Sequence, residues 1–220
     1  MSRHNRRVTT IVSPATDADL PHLQSVEDAS DRLFVEQYVP LPEIADWNGA
    51  PSGTQRAAAP GFLLVARERA DGPIVGFVHV LEPAGIAHLE QLSVLPEHGR
   101  RGHGRALVEA ALQEAAARGH HVVTLRTYAD VPFNAPFYRT CGFEVTEPRT
   151  AFHRRLVEVE KQQGLLRYGQ RVQMTADLAD LSVSARPVSA VRPRPSARGR
   201  CRRSALRCRA RPAAQPPPGR

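Results

Sequence analysis

Residues 96 to 107, PEHGRRGHGRAL, set Gly99, Gly102 and Gly104 between a β-prone run ending at Val94 and an apolar stripe beginning at Leu107. Leu107, Val108, Ala111, Leu112 and Ala115 recur at the spacing of one helix face, and Gly119 can end that helix. The chain must therefore pass from strand to helix through a glycine turn, with the helix starting near Arg105. Backbone N–H groups at such a terminus attract phosphate through unpaired donors and the positive end of the helix dipole. The three glycines allow left-handed backbone and close approach to an anion, and Arg100, Arg101 and Arg105 add longer-range attraction. A basic loop with no ligand is the alternative that these residues alone leave open.

Two familiar phosphate motifs do not fit. A Walker A loop needs a lysine that this stretch lacks, and a dinucleotide fingerprint needs a third glycine where Leu107 stands.

Around the turn, RVTTIV reads as a first strand ending at Pro14, and TDADLPHLQSVEDASDRLFV as an amphipathic helix capped at Thr16 or Asp17. LPEIADW suggests a second, shorter helix, and NGAPSGTQRAAAPG a mobile surface loop. FLLVARE, IVGFVHVLEP and IAHLEQLSV then form an antiparallel meander, with Asp71-Gly72 marking a hairpin. After the turn and its helix come a strand, HVVTLRT, a short helix, NAPFYRTCG, and another strand, FEVTE. Residues 149 to 161 are helix-permissive, and QRVQMT can supply a last strand. This order of strands and helices reads as the α+β fold class.

The formal net charge is +8, but eleven arginines and no acid follow Asp180, leaving the first 180 residues at −3. The basic character belongs to the tail and does not mark the folded part as a nucleic-acid binder. Residues 182 to 220 lack the large apolar side chains that repay ordering and are expected to be disordered, residues 1 to 7 forming a short N-terminal extension. The tail has no interleaved aromatics, which argues against nucleic acid as a partner. Cys141, Cys201 and Cys208 form no disulfide or zinc framework, and no apolar run suits a membrane span or a signal peptide. The expectation is a cytoplasmic protein with no membrane partner. His88, His98, His103, His120 and His121 have no helical pairing and no acid at ligand spacing, so no metal is expected.

LEQLSVLPEHGRRGHGRALVEAAL followed by NAPFYRTCGFE closely resembles the GNAT superfamily of acetyl-CoA-dependent N-acetyltransferases. Val94, Pro96, Gly102 and Gly104 match its V-x-P-x-x-[QR]-x-x-G-x-[GA] turn, Gly99 standing at the Gln/Arg position. The resemblance spans about residues 8 to 176 and implies the GNAT fold, in α/β/α layers, with a mixed, mostly antiparallel central sheet flanked by helices. It also implies acetyl-CoA as cosubstrate and an amine acceptor, and is compatible with a homodimer. Carried across, Leu92, Ser93 and Val94 would pair with the pantetheine arm. Gly99, Arg100, Arg101, Gly102, His103, Gly104 and Arg105 would form the pyrophosphate site. Asn134 would face the cofactor, and Tyr138 is the tyrosine of the F-Y-x-x-x-G-F segment.

Acetyl transfer to an amine needs a base, an oxyanion donor and an acid for the leaving thiolate. Tyr138 suits the acid, since a phenol is protonated at neutral pH; packing beside Phe137 and Phe143 is its other reading. Glu90 is the candidate base, acting through water, because a carboxylate on a central strand is costly unless hydrated, paired or used. Strict alternation would put Glu90 and Leu92 on one face and Leu89 and Gln91 on the other. A main-chain N–H near Val94 would serve the oxyanion. Asp130 reads as a turn residue and Cys141 as a packed thiol. Acceptor specificity is expected around Glu36, Tyr38, Glu43 and Trp47. A non-catalytic acyl-CoA-binding module is the competing reading.

Overall fold

The computed structural model describes residues 9–38 and 50–179. The elements run β1 (Ile11–Pro14), α1 (Leu20–Tyr38), α2 (Gly53–Ala58), β2 (Gly61–Arg67), β3 (Ile74–Leu81), β4 (Ala87–Val94), α3 (His103–Ala117), β5 (Val122–Tyr128), α4 (Ala135–Arg139), β6 (Glu144–Thr146), α5 (Ala151–Gln162) and β7 (Arg171–Asp177). They build one seven-stranded sheet in the order β1-β2-β3-β4-β5-β7-β6. The pairings are antiparallel except β4 with β5, which α3 connects. The expected mixed, mostly antiparallel sheet is therefore present.

Period-two alternation explains the layering. On β2, Phe62, Leu64 and Ala66 point into the core that α3 covers, while Val65 points to the cluster formed with Leu23 and Val26 of α1. The stripe Leu107, Val108, Ala111, Leu112 and Ala115 is buried on the α3 side. Each fully buried Leu or Val of this kind contributes about 1.5–3 kcal/mol of transfer free energy. The sheet is thus sandwiched between helices, as the α/β/α expectation requires.

Three local expectations need correction. The stretch NGAPSGTQRAAAPG is not all loop, because it carries α2, opened by a capping box in which the Ser52 hydroxyl accepts from Gln55 N–H and the Gln55 side chain accepts from Ser52 N–H. Ser-x-x-Gln was visible in the sequence and outweighs the surrounding Gly, Pro and Ala. The first helix begins at Leu20, since Asp19 is held in the preceding turn by Thr16 N–H and Oγ1 and by Arg67. α3 begins at His103 and not near Arg105, because Gly102 adopts φ 93° as its N-cap. LPEIADW, with Glu43 and Trp47, the N-terminal extension and the 182–220 tail lie outside the described residues. Among those described, no helix is long and apolar enough to cross a membrane.

Two irregularities set β4 apart from its neighbours. Val80 pairs with Leu89 and His79 with Gln91, so Glu90 is the extra residue of a β-bulge. On its other side β4 pairs with β5 only through Ala87↔Val123, His88↔Thr124 and Leu89↔Leu125. Beyond Leu89 the two strands part. The bulge sits at the parting point, as expected of a device that raises local twist and ends pairing.

Candidate active site

The glycine turn leaves β4 through a short 3-10 segment, Pro96–His98, and enters α3. The first intrahelical bond runs from Ala106 N–H to the Gly102 carbonyl, so the amides of His103, Gly104 and Arg105 lie ahead of it without an intrahelical acceptor. The left-handed residues here are Gly102 and, without a glycine, Arg100 at φ 59°. Gly99 has φ −62° and Gly104 is helical, so the expectation of three left-handed glycines holds for one of them.

The side chains around the turn divide by role. Arg105 donates to the Thr140 carbonyl at 2.9 Å and to Thr140 Oγ1 at 2.8 Å, tying α3 to the end of α4. Arg101 donates to Glu68 at 3.2 Å. The His103 ring is fully buried between Thr10 and Glu68, so only its main-chain N–H faces the turn. With Arg101 and Arg105 engaged elsewhere, the donors the turn leaves free are mainly backbone amides.

A cleft of roughly 480 Å³ opens where β4 and β5 diverge. Glu90, Leu92, Asn134 and Tyr138, four of the residues singled out in the sequence, line it together. Leu92 and Val94 pack against the same core as Leu89, although alternation from Leu89 would put them on the opposite face. The bulge at Glu90 flips the parity of β4. Glu90 and Gln91 both reach the cleft, and the predicted separation of Glu90 and Leu92 from Leu89 and Gln91 fails for that reason. Ser93 is fully buried and accepts from Gln91 Nε2 at 2.9 Å.

The Glu90 carboxylate is 41% exposed, with neutral His88 3.8 Å away. Desolvation by the cleft walls pushes it above the ordinary carboxylate value, while Arg56 and Arg171 pull it back. Tyr138 sits on α4 with its ring edge-on to Phe137 and Phe143. Burial pushes its hydroxyl far up, so it stays protonated across the whole working range. Asn134 is the α4 N-cap, but its side chain makes no capping bond. Cys141 is half-buried against the core, and burial raises its thiol above the usual value. Of the acceptor-specificity candidates, Tyr38 stacks on Phe34 at 5.2 Å, and Phe34 in turn lines the cleft. Glu36 points to solvent.

Sequence reasoning missed the cleft's charged lining. Glu27 and Asp31 enter it from α1, and Arg126 and Arg171 from β5 and β7. Burial pushes Glu27 up to about 7 against the pull of its ion-pair partner Arg56, and Asp31 up to about 6 with Asp28 adding to it. Glu160 of α5 accepts from both Arg126 and Arg171, at 2.8 and 2.6 Å. Burial alone would raise Glu160, but the two guanidinium groups outweigh it and hold the carboxyl below its ordinary range. These residues are scattered over more than a hundred positions, and only the fold assembles them.

Two buried histidines, His79 on β3 and His88 on β4, give a pH prediction. Desolvation, with Arg56 adding to it, holds His79 down to about 4, and desolvation with His153 and Arg126 holds His88 down to about 3. The Arg56 guanidinium donates to His79 Nδ1 at 3.2 Å, which only a neutral ring can accept. The unfolded chain binds these protons near pH 6.5 and the folded chain does not, so stability is full above that value and is lost as pH falls. Each ring costs about 2 kcal/mol by pH 5. Denaturant melts at about pH 7.5 and pH 5 should show His79→Gln losing about 2 kcal/mol less than the parent chain over that interval. Equal losses would refute the assignment.

Comparison with known proteins bears on the whole arrangement. The profile of the Acetyltransferase (GNAT) family matches residues 23–143. A mycothiol acetyltransferase from Clavibacter sepedonicus is 39% identical over 84 residues, covering 38% of this chain and 27% of that protein. One from Clavibacter michiganensis subsp. michiganensis is 41% identical over 87 residues, again covering 38% and 27%. The matched segment thus spans about a quarter of the length of these relatives. Among solved structures, the ribosomal-protein-S18-alanine N-acetyltransferase of Escherichia coli aligns with TM-score 0.51 and 18% identity, covering 77% of this chain and 94% of its own. PaiA N-acetyltransferase from Thermoplasma acidophilum, solved in complex with coenzyme A, aligns with TM-score 0.54 and 17% identity, covering 77% and 99%. At such identities these structures speak to the fold.

Proposed function

The chain belongs to the GNAT acetyltransferase family, and on that footing we propose that it moves an acetyl group from acetyl-CoA directly to a primary amine. The observation that carries this reading is the parting of β4 from β5 beyond Leu89↔Leu125, beside a helix N-terminus with unused amides. An extended pantetheine arm with its own amides fits the unpaired edge of β4 at Leu92, Ser93 and Val94, as an added strand would. The pyrophosphate then meets the turn from Gly99 to Gly104. The coenzyme A recorded with the Thermoplasma acidophilum protein and the acetyltransferase names of the relatives support the same cosubstrate.

The chemistry follows from the cleft. The neutral amine attacks the thioester carbonyl carbon, and a main-chain N–H near Val94 donates to the oxyanion. As the C–S bond breaks, Tyr138 donates its proton to the departing sulfur. The hydroxyl is a weak acid, but the cleft that raises it also desolvates the thiolate and raises its basicity. The amine's proton passes through water to Glu90. A carboxylate raised above the ordinary value is the better base for this relay.

Calorimetric titration with CoA, followed by thiol release over a panel of amines, tests the reading. Expected is saturable CoA binding and turnover with at least one amine; binding with no turnover across a broad panel would instead indicate a non-catalytic acyl-CoA module. The Glu90→Gln variant should lose about 10²-fold in kcat/KM and with it the acidic limb of the pH profile. That limb lies above the ordinary 4.5 and falls as pH drops, because protonated Glu90 accepts nothing. A variant that keeps the limb would assign the base elsewhere, with Glu27 and Asp31 next in line.

A further inference from the structure

The flank of the glycine turn away from the cleft holds a cluster that the transfer reaction does not use. Glu68, just past the end of β2, His98 of the 3-10 segment and His103, the first residue of α3, converge there, and none of them lines the cleft. His98 Nδ1 lies 2.9 Å and His103 Nε2 3.2 Å from Glu68 Oε1. The three donor atoms lie within 4.8 Å of one another. We propose that Glu68, His98 and His103 bind a divalent ion of the zinc class, which braces the turn that receives the pyrophosphate.

The donor set and its geometry suit such an ion. Two imidazole nitrogens and a carboxylate oxygen are borderline ligands of the kind zinc takes, with a fourth position left for water. Bonds of about 2.0–2.1 Å in a tetrahedron separate ligand atoms by about 3.3 Å, so the cluster needs only small side-chain adjustments. Metal-bound histidines need their second nitrogen held, and Thr10 Oγ1 lies 2.9 Å from His103 Nδ1. In the tautomer that donates from Nδ1 to Thr10, the Nε2 lone pair points at the cluster. Thr10 and Glu68 are each one residue beyond the Ile11↔Arg67 pair, so the β1/β2 ladder fixes ligand and support together. The His103 side chain is fully buried, while His98 and Glu68 are 24% and 30% exposed, giving a rigid back wall and an open front for entry.

One contact opposes the ion, and it shapes the expected behaviour. Arg101 donates to the same Glu68 oxygen at 3.2 Å and would be displaced by a metal. Its side chain is 45% exposed and can swing away into solvent. The positive end of α3 also disfavours a cation. A bound pyrophosphate reverses that balance by supplying negative charge across the turn, so metal and cofactor strengthen each other's binding reciprocally. This coupling rests on the proposed cofactor site; the metal site itself does not.

The test is a Co²⁺ titration of the metal-stripped full chain, followed by visible absorption and by competition with Zn²⁺. Expected is a one-to-one saturable spectrum that Zn²⁺ abolishes. The affinity should be at least about tenfold weaker in Glu68→Gln and in His98→Ala, each checked for an unshifted thermal midpoint. The Cys201→Ser/Cys208→Ser double variant should keep the spectrum, which separates this site from thiolates of the tail. No saturable spectrum, or one untouched by Glu68→Gln and His98→Ala, overturns the proposal. Repeating the titration with desulfo-CoA, which carries no competing thiol, should tighten Co²⁺ binding about threefold or more. If desulfo-CoA binds and leaves the Co²⁺ affinity unchanged, the coupling is refuted. If desulfo-CoA does not bind at all, it is the cofactor reading that fails, while the metal result stands on the first titration.

Discussion

Replacing Tyr138 with phenylalanine lowers kcat for acetyl transfer by about 10²–10⁴-fold while CoA binds almost as before, if the hydroxyl is the acid. The substitution isolates the role because the ring is the packing element. Tyr138 belongs to the main core and meets Phe137 and Phe143 edge-on at centroid distances of 5.2 and 5.7 Å, all of which phenylalanine preserves. Stopped assays with saturating amine read kcat, calorimetry reads CoA affinity, and a thermal melt checks that the core is intact. A kcat unchanged within about twofold, with the fold unperturbed, would return Tyr138 to the purely structural reading. A loss confined to CoA affinity would also sink the acid role, since an interaction made only as the C–S bond breaks leaves ground-state binding alone.

Glu160→Ala should cost about 3–5 kcal/mol of folding stability, the largest effect expected from a single side chain outside the apolar core. Glu160 is 6% exposed, and its two oxygens accept from Arg126 and Arg171, which are themselves nearly buried. Removing the carboxylate leaves two guanidinium groups desolvated without their shared counter-charge. Arg126 and Arg171 also line the cleft, so the loss of their shared counter-charge changes the charge of the cleft as well as the stability. Urea denaturation of Glu160→Ala beside Glu160→Gln measures the charge itself, because glutamine keeps the volume and loses the anion. A cost below about 1 kcal/mol for both would show that solvent reaches the triad and screens it.

The two variants probe features of very different legibility. Tyr138 could be singled out because the contiguous segment FYRTCGF resembles the family's F-Y-x-x-x-G-F motif, and the structure packs it against Phe137 and Phe143 of that same segment. The glycine turn was legible for the same reason, since strand end, turn and helix start are consecutive and the donors it leaves free are backbone amides. Yet its conformation was not, as Arg100 and Gly102 carry the left-handed angles that glycine count alone spread over Gly99, Gly102 and Gly104. A positive φ at Arg100 is imposed by the path the turn must follow, which residue type does not encode.

Glu90 shows where a periodic argument breaks. Alternation is a local rule and assumes an uninterrupted ladder, but the bulge that inserts Glu90 is decided by how β3 and β4 twist against each other. Residue type singles out Glu90, and its face is then assigned by a rule that fails at that position. Likewise, spacing along the chain sets each histidine only against its near neighbours, whereas the acid facing His98 and His103 is Glu68, thirty and thirty-five positions away.

The sequence by itself determined the meander, the strand-turn-helix unit and the motifs that carry the family, because each is written in short-range periodicity or contiguous motif. The tertiary structure decided where β4 leaves β5, which acids and arginines meet in the cleft and what the histidines of the turn face. Those depend on contacts between segments far apart in the chain, whose register and twist are set by the packing of the whole sheet.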